Sequence, residues 1–270
     1  MVYVDDLLQR LGSCRVYDLS QPFQAGMPFF PLLRTGYSYL LYRRHMDANP
    51  QAMGPRSAAS GLLVMPDHSG THVDARCHQA SGLRLYDGTE ISREVETPTG
   101  FTKHGAEQIP LMVARAVLVD VASVVKDPLP EHHLVTVEEF EKTLESEGVK
   151  IGDGDVVLMR TGYGRFWNTP SVYEKAAGAS AELSKALAQK NILAVGADNL
   201  SWDVAPGHEH TKGHAGAGHL HLLAQRGIFI IENLYLEDLS RDKVYTSVFV
   251  CLPLKLVGAT GAPVRPVCLR

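Results

Sequence analysis

The stretch from His68 to His78 constrains this chain more than any other. His68, His72, Asp74 and His78 fall within eleven residues, between Pro66 and Gly82. Neither core packing nor a solvated surface explains three imidazoles and a carboxylate so close together. They are the ligands that borderline divalent cations such as zinc and manganese take, so a metal or catalytic site is expected here. His68 and His72, four apart, share a face of a helical turn or converge across a glycine-containing turn. His72 and Asp74, two apart, lie on one side of an extended segment. Gly70 gives the chain the freedom to fold back and aim both arms at one ion. His78 then falls one turn or loop further on, near the metal and free to move protons.

The rest of the sequence sets bounds on that site. The chain has 270 residues, enough to bury a real core, and its 45% hydrophobic and 21% charged content is that of a soluble globular protein. With a net charge of −4 and no basic cluster, nucleic acid is not an expected partner. No apolar run is long enough to span a membrane. The start, Met1 to Asp6, is acidic and lacks a signal-peptide pattern, so a cytoplasmic location is expected. The four cysteines, Cys14, Cys77, Cys251 and Cys268, form no Cys-x-x-Cys pair and read as buried free thiols. Cys77, inside the His cluster, reads as a spectator or pocket-lining thiol rather than a nucleophile.

In chain order, Val4 to Leu11 reads as a short amphipathic helix stopped by Gly12, and Arg15 to Ser20 as a strand. Prolines 22, 28 and 31 make a stiff loop, on which Phe29 and Phe30 either form one wall of a pocket for a flat substrate or pack onto the core. Residues 34 to 59 read as an insertion or lid. Gly61 to Met65 reads as a buried strand that delivers the His cluster at its end, and residues 83 to 105 as loop. Ala116 to Val121 is a near-continuous apolar strand of the kind found in a sheet covered on both faces. Thr136 to Glu139 is a capping box opening a helix that runs to about Glu147. Strands follow at Val156 to Arg160 and Ile192 to Gly196, with a helix at Ser180 to Gln189 between them. Polar residues Asp198 to Asp203 lie just past a strand end.

A second His-rich stretch carries His208, His210, His214, His219 and His221 among glycines. The first three can line a lid or be solvated, while His219 to Arg226 reads as a helix ended by Gly227. Ile228 to Ile231 is a buried strand ending in Glu232. A carboxylate at the tip of such a strand needs a cation or a hydrogen-bond partner if it points inward. Strands around Val244 to Leu252 and Val264 to Leu269 close the chain. His45, His104, His132 and His133 read as surface or structural residues. No repeat or linker is evident, so residues 1 to 270 are expected to form one domain.

His68-Ser69-Gly70-Thr71-His72-Val73-Asp74 through His78 resembles the H-x-G-T-H-x-D-x-P-x-H signature of the metal-dependent cyclase-family hydrolases, the superfamily of bacterial kynurenine formamidase, isatin hydrolase and cyclic-imide hydrolases. Six of its seven fixed positions match. Asp18 to Pro22, Ile109-Pro110, Val156 to Gly162, Gly196 to Asp198, Gly227 to Leu234 and the tail Gly258 to Arg265 are similar to further family elements. The resemblance implies an α/β, cyclase-type fold (swivelling β/β/α-like), with a central barrel-like mixed sheet and flanking helices, in homodimers or homotetramers. It implies His68, His72 and Asp74 as ligands of a first divalent ion, manganese or zinc, and His78 as general acid/base. In two-metal members a later His and a Glu join, which here implies Glu232 with His219, or with His221 in the competing register.

There are departures from the family pattern. Arg76 replaces the signature proline, and this cation either meets an anionic substrate or points to solvent. Phe30 stands where formamidases carry a pocket Trp. The chain is also longer than a typical formamidase at residues 34 to 59 and 163 to 179.

The expected reaction is hydrolysis of an amide C–N bond in an aryl formamide, cyclic amide or imide. Metal-activated water attacks and His78 passes the proton to the leaving nitrogen. The alternatives are a lactone hydrolase, dehydratase or cyclase acting on an oxygenated ring at the same site, and a non-catalytic binder. Retention of His78 argues against the binder.

Overall fold

The computed structural model describes residues 4–30, 36–49, 54–205 and 211–270. Pro31, His208 and His210 lie outside the described residues. The sequence's apolar runs become the middle of a nine-stranded mixed sheet that curls into a half-barrel. Met112–Val119, Val156–Met159, Ala194–Ala197 and Phe229–Glu232 pair in parallel at its centre. On one side the antiparallel strands Thr246–Cys251, Val267–Leu269 and Val16–Asp18 follow. On the other, His72–Asp74 pairs antiparallel with Phe229–Glu232, and Gly261–Pro263 pairs with His72–Asp74.

The central strands are apolar at nearly every position because both faces are covered. Ala116, Leu118, Val156, Leu158, Phe229 and Ile231 fill one core. Val117, Val119, Val157, Met159, Val195 and Ile230 face the other, against Phe140, Leu183, Leu187, Leu222 and Leu223. Those partners come from the helices Val137–Glu147 and Ala181–Leu187 and the wide helical turn His219–Ala224. The capping box forms as expected. The Thr136 side chain accepts from the Glu139 N–H, and the Glu139 carboxylate accepts from the Thr136 N–H.

One element departs from expectation. Ser60–Val64 is not a buried strand of the core sheet. Among the described residues it pairs only with Ser38–Arg43, as a two-stranded antiparallel hairpin. Its apolar residues stand in solvent, Leu40 49%, Leu41 47%, Leu62 51% and Leu63 47% exposed. The insertion expected at residues 34 to 59 therefore supplies an arm of a projecting ribbon. Residues 83 to 105 are mostly turns, with one small hairpin, Glu96–Thr97 with Gly100–Phe101.

Candidate active site

The sheet assembles the site through register. In the antiparallel pair, Glu232 lies opposite His72 and Ile231 opposite Val73. Val73 and Ile231 turn into the core, so His72, Asp74 and Glu232 emerge together on the other face. Asp74 in turn lies opposite Gly261. Gly70 bends the preceding loop at φ +56°, and a Cβ there would lie 2.8 Å from the Phe23 ring, so only glycine fits. The loop is held by Asn233, whose amide donates to the Gly70 carbonyl at 2.9 Å, and by Thr71, whose hydroxyl donates to the Asn233 carbonyl at 2.7 Å.

The donor atoms converge on the Asp74 carboxylate. Its Oδ1 lies 2.8 Å from His68 Nδ1 and 3.5 Å from His72 Nε2, and its Oδ2 lies 3.3 Å from His219 Nε2. The two Glu232 oxygens lie 3.3 Å from His72 Nε2 and 3.3 Å from His219 Nε2. His219 is thus the histidine that joins Glu232. His221 turns to Gln225, 3.0 Å away, on the outer side of the same helical turn. Two sets of ligand atoms are close enough to share an ion, His68–Asp74–His78 and Asp74–His219–Glu232, with Asp74 common to both; His72, expected as a ligand, is in neither set, and His78, expected as the acid/base, is in the first.

Four buried atoms in this cluster, His72 Nε2, both Asp74 oxygens and Glu232 Oε1, have no hydrogen-bond partner. Buried polar atoms are rarely left so, and two carboxylates and three imidazoles form a donor set suited to zinc or manganese. The residues present therefore fit a divalent ion. Their protonation balance points the same way. Burial favours a neutral His72, yet Asp74 and Glu232 beside it prevail and lift its pKa to about 10. Burial likewise opposes charge on Asp74, but the surrounding imidazoles hold its pKa well below the usual range. A cluster that draws positive charge this strongly is built for a cation.

The groups behind the ligands fix their tautomers. The His72 Nδ1–H donates to the Gly70 carbonyl at 2.8 Å, which turns Nε2 towards Asp74 and Glu232. The His219 Nδ1–H donates to Asp203 at 2.7 Å, and Asp203 also accepts from the Gly218 N–H. Asp203 stood in the sequence only as one of several polar residues past a strand end. Its neighbour Asp198 spends its carboxylate on the N–H groups of Thr161 and Gly162, as scaffold.

His78 stacks 4.1 Å from His68 and 5.7 Å from His219, centroid to centroid. Burial, with the two neighbouring imidazoles, pushes its pKa down to about 4 against the pull of Asp74 and Glu232, so at neutral pH it is an uncharged base. Its Nε2 lies 3.2 Å from the Gln79 side-chain amide, a contact the sequence did not flag. Cys77 is buried, and burial raises its thiol pKa to about 12, which makes it a poor nucleophile.

Above the cluster opens a cavity of about 450 Å³. Phe29 and Phe30 line it with Pro28, Leu200 and Val204, opposite His68, His72, His78, His219 and Glu232. Arg76, expected as a possible substrate contact, is not there. Its Nε donates to the Gly227 carbonyl at 2.8 Å, and its guanidinium stacks between Tyr86 and Phe229 at 4.6 and 4.4 Å. One residue on from Ala75 the side chain points to the far face of the loop, where these rings hold it. Of the remaining histidines, His133 pairs with Glu139, His104 with Asp87, and His214 accepts from the Ala181 N–H.

The fold and this donor set are those of a chain with a buried cluster suited to a divalent ion at the mouth of a half-barrel sheet. The chain matches the Cyclase family, described as "Putative cyclase", over residues 17–204 and belongs to that family. It is 27% identical over 254 residues to a kynurenine formamidase of Bacillus cereus, covering 93% of this chain and 95% of that one. It is 23% identical over 216 residues to an isatin hydrolase of Roseibium aggregatum, covering 77% and 73%. A crystal structure described as a novel cyclase superposes with a TM-score of 0.85 at 26% identity, covering 97% of this chain and 89% of the other.

Proposed function

We propose that this enzyme hydrolyses an amide C–N bond in a flat substrate, an aryl formamide, cyclic amide or imide. One observation supports the reading: His72 and Glu232, each with a partnerless buried atom, line a cavity walled by Phe29 and Phe30, with the partnerless Asp74 carboxylate beside them. His68, His72 and Asp74 would hold a first divalent ion, manganese or zinc, and Asp74, His219 and Glu232 a second. Such an ion supplies acidity to water and draws charge from a carbonyl oxygen. The aromatic wall orients the ring and keeps bulk water away. Neutral His78 accepts a proton at the cavity edge and returns it to the leaving nitrogen, a contribution of about 10²- to 10⁴-fold. The names of the two curated relatives, a formamidase and an isatin hydrolase, support the amide class.

The test is a screen of formanilides, cyclic imides, isatin and lactones against the manganese- and zinc-loaded enzyme. Turnover of an amide that is lost on chelation is expected. Turnover of lactones alone would overturn the amide reading in favour of an oxygenated ring.

We propose further that the enzyme is a homo-oligomer, a dimer or tetramer. A lone two-stranded ribbon is marginal in water, and this one is apolar on both faces, with Tyr39 and Leu41 on one and Leu40, Leu62 and Val64 on the other. A second copy of the chain, bearing the same ribbon, covers it symmetrically.

A further inference from the structure

We propose that Asp67 and Thr260 form a relay that fixes the His68 ring so that Nδ1, rather than Nε2, faces the metal site, which makes the C-terminal loop a component of that site. The inference rests on the metal reading above and concerns groups outside the ligand set. The Asp67 carboxylate accepts from the Thr260 N–H at 2.9 Å, the Thr260 hydroxyl at 2.8 Å and the Gly261 N–H at 3.2 Å. A hydroxyl has one hydrogen, and here it goes to Asp67. The Thr260 oxygen, 2.9 Å from His68 Nε2, must then accept, so Nε2 carries the ring proton. That turns Nδ1 towards the cluster, 2.8 Å from Asp74 Oδ1, where the two atoms are close enough to share an ion.

A second, steric observation agrees. A Cβ on Gly261 would lie 2.8 Å from His68 Cε1 and 3.0 Å from Nδ1, so the ring lies flat against this glycine and needs it to be one. His68 is therefore oriented from the opposite end of the chain, by hydrogen bonds on one ring edge and by contact with its face. His72 and His219 differ, since both present Nε2 with Nδ1 held behind. Asp67, Thr260 and Gly261 are positioning residues that act through His68.

The experiment measures manganese and zinc affinity by competition with a chelator, for the wild type and for Thr260→Val, Thr260→Ser and Gly261→Ala. Histidine ¹⁵N spectra of the metal-free proteins, in which the His68 resonance is identified by its loss in His68→Gln, report the tautomer. Thr260→Val should weaken binding by about 10- to 100-fold, the usual effect of losing a partner behind a ligand. Thr260→Ser, which keeps the hydroxyl, should restore it, and Gly261→Ala should weaken it without removing a hydrogen bond. The His68 Nε2 signal should be that of a protonated nitrogen in the wild type and shift in Thr260→Val. Wild-type affinity in Thr260→Val, or an unprotonated Nε2 in the wild type, overturns the relay. A wild type that binds no metal would instead end the metal reading, while the tautomer spectrum still decides the relay.

Discussion

At the scale of single residues, the roles of His78 and Asp203 separate cleanly. His78 lies within reach of the His68–Asp74 pair, and burial keeps it uncharged, a state in which it can accept a proton. His78→Ala is expected to retain metal at the wild-type level and lose about 10²- to 10⁴-fold in kcat, measured by metal analysis beside steady-state kinetics. Persistent turnover would show that another group moves the proton. Asp203 acts on the cluster through His219, so Asp203→Asn is expected to cost about 10- to 100-fold in metal affinity, and unchanged affinity would remove it from the site. Local spacing made His68, His72, Asp74 and His78 legible, because their geometry is set within eleven residues. Glu232 was legible as a carboxylate where an apolar strand ends. Asp203 and Thr260 were not. Thr260 meets His68 across 192 residues of sequence, and no local pattern encodes such a meeting. Arg76 misled because its charge was visible and its aromatic stacking partners were not.

At the scale of elements, the central strands were legible because burial on both faces demands unbroken apolar runs. The same signal failed at Gly61 to Met65. Periodicity reports that a segment is apolar, without saying whether its own chain or another covers it. The helix Val137–Glu147 was legible from its capping box, and its last residue carries a consequence for pH. The Glu147 carboxyl accepts from the Asp120 N–H at 2.9 Å, and burial, with the nearby Asp120 charge, raises its pKa from 4.5 to about 7. A carboxyl whose pKa is raised by folding costs stability as it ionises. The cost is absent below the unfolded value, grows between 4.5 and about 7, and is complete above. Glu147→Gln should therefore raise the melting temperature, relative to wild type, more at about pH 8 than at about pH 5. An equal difference at both would contradict the assignment.

At the scale of the whole molecule, only a few residues, Met65 to Asp67, separate the hairpin from His68. Leu40 and Leu62 are directly paired across the ribbon. Replacing both with Lys should shift the enzyme to monomer in light-scattering chromatography, and an unchanged mass would exclude this face as the interface. Among the described residues no helix is long and apolar enough to cross a membrane. The half-barrel was foreseen only through resemblance. Curl and strand order depend on pairings such as that of Val16–Asp18 with Val267–Leu269, at opposite ends of the chain.

The central claim is that Asp74 gathers a divalent ion with the histidines around it and Glu232. Anomalous diffraction from a crystal grown with manganese tests it most directly. A peak within bonding distance of Asp74 and at least two of His68, His72, His219 and Glu232 is the expected result. Full-strength data with no peak there, and those side chains turned apart, would contradict it.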